Sequence, residues 1–325
     1  MSAVNGSGKD SEHSRVATLQ RLLGVPRSRG VELAIGDDAA ILRARGRLVW
    51  TMDAAVEHVH FELGLIGIED VGYRATQAAV SDLAAMGARP LAALANLALP
   101  PGLSRRDFER LVRGQAAAAK ELDCPIVGGN LARASELSVT TTVLGSVEKP
   151  LMRSGAKLGD ELWLLGRVGM ARAGLQALQA KKRRRSPALA ACIDAFARPC
   201  ALIAEGRKLV GRAHSAIDVS DGLAGDAGHI ARASRVGLVI SAKALRLALS
   251  AELIDAAAEL AMDPLELALF GGEDYALLAT GPSGRKPRGA RSIGHVEAGS
   301  GVALESDGRR RKLGGGFDHF ARAKR

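Results

Sequence analysis

The chain is poor in cysteine and aromatics and has no long apolar run, and each shortage closes a class of function. Its three cysteines, Cys124, Cys192 and Cys200, are odd in number and form no C-x-x-C pair. That argues against a disulfide framework and a zinc knuckle and reads them as small buried hydrophobes. Aromatic residues make up 3% of the chain, too few for the stacking platforms that hold single-stranded nucleic acid. No run of about 18 apolar residues is present to span a bilayer. The glycine-rich dinucleotide fingerprint is missing, and no HExxH helix surrounds His58 or His60. "GSGKDS" at 6–11 fails as a P-loop, because Lys9 is followed by Asp10 and no strand precedes it. The protein-kinase signature set is also absent.

What is present is a globular composition, 47% apolar and 25% charged over 325 residues, too long for one small core. Two domains are expected, 15–150 and 151–325. The polar stretch "MSAVNGSGKDSEHS" (1–14) reads as a disordered leader without the apolar core of a secretory signal, which points to the cytoplasm. The net charge of +10 suits a nucleic acid partner, but much of it sits in "KKRRR" (181–185), "RRRK" (309–312) and the final "RAKR". These read as solvated loops and a tail, so nucleic acid binding is the weaker alternative.

Helix and strand patterns alternate, giving an α+β fold in both halves with no repeat period. Ser14 is placed to cap a helix over about 15–23, and Val31–Leu42 and Leu48–Met52 read as strands. A helix over about 69–86 stops at Gly87, and Pro90 opens the strand "PLAALANLAL". Ser104 and Asp107 make a capping-box variant before a helix to about Leu122. "CPIVGG" and "LSVTTTVLGSV" follow as strands. Beyond 150, "SGAKLGDELWLLG" leads through a glycine-rich loop into a strand, then helices are expected at about 170–180, 188–197 and 200–210. The strand "SAIDVS", a helix over 222–234, the strand "GLVIS", a mostly helical 250–270, the strand "YALLAT" and short strands over 291–313 complete the pattern.

Carboxylates stand where such elements do not favour them. "AIGDDAAIL" (34–42) sets Asp37 beside Asp38 in a strand-like run, although Gly-Asp-Asp also makes a good turn. Asp53 follows the apolar "LVWTM", at or just past a strand end. Asp82, in "AVSDLAAMGA", lies in the last turns of a helix, where the macrodipole disfavours a negative charge and Arg89 or a metal ion has to compensate. Asp218 and Asp221 flank a strand-to-helix junction in "AIDVSDG", where Ser220 or Asp221 is a natural N-cap. "FGGEDYALL" presents Glu273 and Asp274 at a Gly-Gly bend. Acids at the ends of separate elements suit a hard cation such as Mg²⁺, which takes a few carboxylates together with water and substrate phosphates. Two glycine-rich loops, "VGGN" (127–130) and "RSGAKLGD" (153–160), can aim backbone N–H groups at an anion.

In order, "GDDAAIL", "TMDAAVEHVHF", "VSDLAAMGARP", "GGN", "RSGAKLGD", "AIDVSDGL", "GGEDY" and "GFDHF" resemble the thiamine-monophosphate kinase family of the aminoimidazole ribonucleotide synthetase-like superfamily. The likeness runs from about Ala34 to Phe320. It implies ATP-dependent phosphorylation of thiamine phosphate to thiamine diphosphate by a homodimer. The N-terminal mixed sheets would pair in a dimer barrel, and each subunit would carry a C-terminal α/β domain. It also implies Mg²⁺ ligands at Asp38, Thr51, Met52, Asp53, Asp82, Asn130, Asp218 and Asp221. Nucleotide contacts would fall at Gly129, Asn130, Arg153 and Ser220, and substrate contacts at His60, Glu273 and Phe317.

The chain departs from the family pattern at Asn130, where a carboxylate is usual; an amide oxygen attracts Mg²⁺ less. Met52 and Ala54 replace usual threonines, and Phe317 keeps a stacking face without the polar handle of Trp or Tyr. These departures leave open a divergent nucleotide-binding relative with a lost or changed acceptor. A selenophosphate synthetase is disfavoured, since no cysteine precedes Cys124.

Overall fold

The computed structural model describes residues 12–24, 30–35, 39–182 and 186–314. Among these, the chain up to Val80 and Pro90–Ser146 form one compact unit, and Ser81–Arg89 with the chain from Val147 form a second.

The first unit holds α1 (Glu12–Leu23), β1 (Val31–Leu33), β2 (Ile41–Leu42), β3 (Arg47–Val56), α2 (Ile68–Ala85, which runs on into the second unit), β4 (Arg89–Leu99), α3 (Arg105–Glu121), β5 (Ile126–Arg133) and β6 (Ser138–Val147). Its four-stranded sheet has the order β3-β6-β4-β5, with β4 and β5 parallel. Helix α3 starts where Ser104 Oγ accepts the Asp107 N–H at 3.1 Å, a cap of about 1 kcal/mol. It buries Phe108, Leu111, Val112, Gln115, Ala118 and Ala119 at helical spacing. It crosses α2 closely because both carry glycine at the contact. A Cβ on Gly72 would stand 2.0 Å from the Leu111 carbonyl oxygen, and one on Gly114 would stand 1.8 Å from that of Glu69.

The second unit continues with β7 (Glu161–Leu165), α4 (Met170–Gln179), α5 (Pro187–Ala197), α6 (Ile203–Leu209), β8 (Ser215–Val219), α7 (Leu223–Ser234), β9 (Gly237–Ser241), α8 (Ala242–Ala248), α9 (Ala251–Leu260), α10 (Pro264–Phe270), β10 (Ala276–Gly281), β11 (Arg291–Glu297), β12 (Gly301–Ser306) and β13 (Arg309–Leu313). Seven strands form a mixed sheet in the order β13-β12-β9-β11-β7-β10-β8. One core cluster packs Trp163, Leu165, Leu209, Leu277 and Ala279 with Ala84, Ala85 and Leu151. Each large apolar side chain hidden there contributes about 1.5–3 kcal/mol.

Several expectations are corrected. Helix α1 begins at Glu12, so Ser14 lies inside it and its carbonyl accepts the Thr18 hydroxyl at 3.0 Å. The strand expected over Val31–Leu42 is two short strands, β1 and β2, paired antiparallel. "RRRK" is β13 rather than a loop. Its side chains are exposed, with Arg310 on Glu297 and Glu305 and Arg311 on Glu266. A charged edge strand of this kind resists pairing with other chains. Helix α8, capped by Ser241, has no counterpart in the sequence reading. Cys124 and Cys192 are buried, but Cys200 is exposed.

Candidate active site

Strand β3 sorts the first group of candidates by alternation. Val49 is buried and Thr51 and Asp53 are half-buried on one face, while Leu48, Trp50 and Met52 stand 56%, 74% and 67% exposed on the other. Met52 therefore shares only its backbone with the Asp53 face. Asp53 was expected at a strand end. It lies inside β3, three residues before Val56, and its Oδ1 accepts the Ala54 N–H at 2.7 Å. His60 sits in the turn after β3. Its N–H donates to the Val56 carbonyl at 2.9 Å and its Nδ1 accepts the Val56 N–H at 3.2 Å, which places the ring proton on Nε2.

Gly129 and Asn130 belong to β5. The register slips by one residue at Val127, so Ala93 faces Ile126 while Leu94 faces Gly128. At Gly129, φ is 149° and a Cβ would lie 1.8 Å from the Ala95 carbonyl oxygen, so only glycine lets β5 close on β4. Asn130 stands opposite Asn96 and donates Nδ2 to its Oδ1 at 2.9 Å, leaving its own Oδ1 for a cation. β3 and β5 are the two edges of the sheet, three strand spacings or about 14 Å apart. The sheet of a single chain does not bring Asn130 to Thr51 and Asp53.

The second unit does gather its candidates. Ser81 Oγ donates to Asp218 Oδ2 at 2.8 Å, both groups being buried. Burial, then the nearby Asp82 carboxylate, pushes the Asp218 carboxyl up to about 7, against the Ser81 hydrogen bond and the Arg153 charge. Asp82, Arg153 and Asp218 are thus electrostatic neighbours. Beyond β8 the chain turns at Gly222, whose φ of 103° makes it the N-cap of α7, with no side-chain cap. Neither Ser220 nor Asp221 takes the capping role expected of it.

The residues before the helix are held instead by one that the sequence does not single out. Asp226, in the first turn of α7 and 2% exposed, accepts the Asp221 N–H on Oδ2 at 3.1 Å and the Ser220 N–H as well. Burial, then Asp218 and Asp221, pushes its carboxyl up to about 8. One turn on, His229 is held below its usual value by burial, Arg232 and Arg153. Ligand atoms of Asp221, Asp226 and His229 all lie within 4.8 Å of one another. The signal was the spacing in "SDGLAGDAGH": an acid in the first helical turn with a histidine three residues later.

The Gly-Gly bend divides its two acids. The Glu273 N–H donates to the Ser220 carbonyl at 2.8 Å and the Tyr275 N–H to that of Val219 at 2.9 Å. Glu273 and Tyr275 have φ of 58° and 49°, left-handed values that these side chains resist. Asp274, read as part of the acidic cluster, turns instead to α4. It accepts N–H bonds from Gly169 at 2.6 Å and Ala171 at 3.0 Å, serving as the helix's missing cap. Asp38 and Phe317 lie outside the described residues.

The second unit thus gathers Asp82, Asp218 and Asp221, with Asp226 on the turn beside them and Arg153 and Arg232 nearby, and these carboxylates fit Mg²⁺ better than a softer metal. Residues 36–147 match the family AIR synthase related protein, N-terminal domain. The thiamine-monophosphate kinase of Aquifex aeolicus is 37% identical over 274 residues, covering 83% of this chain and 89% of the relative.

The chain belongs to the thiamine-monophosphate kinase family.

Among solved structures, AaThiL complexed with AMPPCP and TMP matches with a TM-score of 0.79 and 34% identity, covering 98% of this chain and 100% of the other. Hydrogenase maturation protein HypE in complex with ATP matches with a TM-score of 0.76 at 23% identity, over 95% of this chain and 96% of its own, and speaks to the fold alone. The two-domain α+β architecture expected of this kinase family is the one the chain has.

Proposed function

We propose that the chain is a kinase that uses ATP to phosphorylate thiamine phosphate to thiamine diphosphate by direct transfer, with Mg²⁺ and as a homodimer. The observation that carries this reading is the close relation, along nearly the whole chain, to a structure holding AMPPCP, an ATP analogue, together with TMP. The buried Asp218 and Asp226 support the metal: burial and neighbouring carboxylates, Asp82 for the first and Asp218 and Asp221 for the second, push both carboxyls up, and a cation offsets that repulsion. Mg²⁺, when bound, neutralises charge on the transferring phosphoryl group. The ligand set proposed is Asp38, Thr51, Met52, Asp53, Asp82, Asn130, Asp218 and Asp221, with Met52 acting through its backbone. Arg153, Gly129, Asn130 and Ser220 hold the nucleotide. His60, Glu273 and Phe317 hold thiamine phosphate, orienting the acceptor in line with the donor.

The homodimer is supported by the exposed row Leu48, Trp50 and Met52 on β3 and by the two open edges of its sheet. Pairing the β5 edge of one copy with the β3 edge of another sets Asn130 of one chain beside Thr51 and Asp53 of the other, closing the distance that a single chain leaves. No described helix is long and apolar enough to cross a membrane, and a cytoplasmic location is part of the same proposal. The divergent reading is not adopted, because Asn130 keeps an oxygen for the metal. A coupled assay with ATP, Mg²⁺ and thiamine phosphate is expected to yield ADP and thiamine diphosphate in equal amounts; ATP binding without turnover overturns the proposal.

A further inference from the structure

We infer that Asp226 is a positioning residue: its buried carboxylate, by receiving the N–H groups of Ser220 and Asp221, fixes the turn that presents the nucleotide and metal contacts of the second unit. The inference rests on the kinase reading for the roles of Ser220 and Asp221, and on geometry alone for that of Asp226. The turn is held on its carbonyl side by the Glu273 and Tyr275 N–H groups, and on its amide side by Asp226. Gly222 opens α7 with no side-chain cap, and Gly222 is conformationally permissive. Two successive amides pointing at one carboxyl hold the chain just before that glycine, because their peptide planes flank Ser220.

The placement also has a cost that a purely structural cap would avoid. An asparagine in the first turn, or a Ser at the cap itself, satisfies N–H groups without charge. Here a carboxyl group is buried beside Asp218 and Asp221, where ionising it is costly. Its two acceptor oxygens let one side chain receive both amides, at the turn that carries the proposed contacts. The Ser220 carbonyl in turn accepts the Glu273 N–H at 2.8 Å, so the same carboxylate steadies the bend carrying a proposed substrate contact. Asp226 touches neither substrate nor reacting atoms in this scheme and acts only through the backbone.

The test compares Asp226→Asn with the wild-type dimer in full-length protein. Asn keeps one acceptor oxygen and the side-chain shape but loses the second acceptor and the charge. Expected are a kcat reduced about 10- to 100-fold and a Mg²⁺ half-activation concentration raised about tenfold, with Tm held because the asparagine oxygen still accepts one of the two amides. A merely structural role predicts the reverse pattern, with Tm lowered and both kinetic constants kept in the molecules that fold. Either wild-type kinetics in Asp226→Asn, or a loss of activity that only follows a loss of folded protein, overturns the inference. Hydrogen exchange on the wild-type protein supplies a reading independent of any variant. The amides of Ser220 and Asp221 should exchange as slowly as those of β8, and loop-like rates there overturn the inference. A wild-type protein that is slow to exchange at these amides but does not phosphorylate thiamine phosphate would sink the kinase reading and leave the anchored turn standing.

Discussion

The two units break opposite rules of folding. The first leaves Leu48, Trp50 and Met52 in solvent on one face of a strand, where an isolated domain would hide them. The second hides its apolar residues but buries Asp218 and Asp226, where an isolated domain would keep carboxylates wet. Each exception marks the absence of something different. The first unit lacks apolar cover and strand partners, which in the proposed dimer another copy of the same sheet would supply. The second crowds negative charge, which in the proposed complex a divalent cation would offset. The contrast teaches that one chain can store two kinds of incompleteness, one answered by association and the other by ligand.

The largest expected effect tests the second kind. Asp218→Asn should reduce kcat about 1,000-fold or more while leaving the fold intact, since Ser81 can still donate to the amide oxygen; steady-state kinetics beside circular dichroism measure both. Retained turnover would mean that Asp218 is only a buried acid. Next comes the first unit. Asp53→Asn and Asn130→Lys should each be nearly inactive alone, yet mixed dimers reassorted from the two should recover about a quarter of wild-type activity, because half of the random dimers hold one intact site of their two. A mixture as dead as its parents would place both residues in the site of their own chain.

A smaller effect concerns stability without metal. Asp218 and Asp226 have folded values of about 7 and about 8 against 3.8 for the free carboxyl. Their contribution is therefore fully present below about pH 4 and is lost as pH rises through 7 to 8. Calorimetry in EDTA should find wild type losing roughly 1–3 kcal/mol relative to Asp218→Asn between pH 4 and pH 8.5, and Mg²⁺ should narrow that gap. A pH-independent gap would contradict the assignment. The smallest effect belongs to Asn130→Asp, where restoring a carboxylate should lower the Mg²⁺ half-activation concentration by about two- to fivefold, the Asn96 amide turning to donate to it.

How much of this could be read from the sequence follows from what local signals encode. Helix α3 with its Ser104 cap, strands β4 to β6 and the order of β7 to β10 were legible, because capping chemistry and apolar periodicity are properties of neighbours in the chain. The placing of Asp82 late in α2 and of Asp218 at the β8–α7 junction was legible for the same reason. What sequence could not supply was tertiary choice. Asp274 reads like a metal ligand until α4 is seen to lack a cap, and Asp226 reads like an ordinary first-turn acid until the amides of Ser220 and Asp221 are seen to point at it. The separation of Asn130 from Asp53 was invisible as well, because strand order within a sheet is set by long-range pairing.

The bend from Gly271 to Tyr275 has one more consequence. It is pinned on one side through Ser220 and Val219 and on the other through Asp274 at the start of α4, and two of its residues already hold left-handed backbone angles. The disorder such a loop would otherwise surrender on meeting its ligand has been surrendered when the chain folds. As the proposed acceptor contact, Glu273 would then meet its ligand on a backbone that is already ordered.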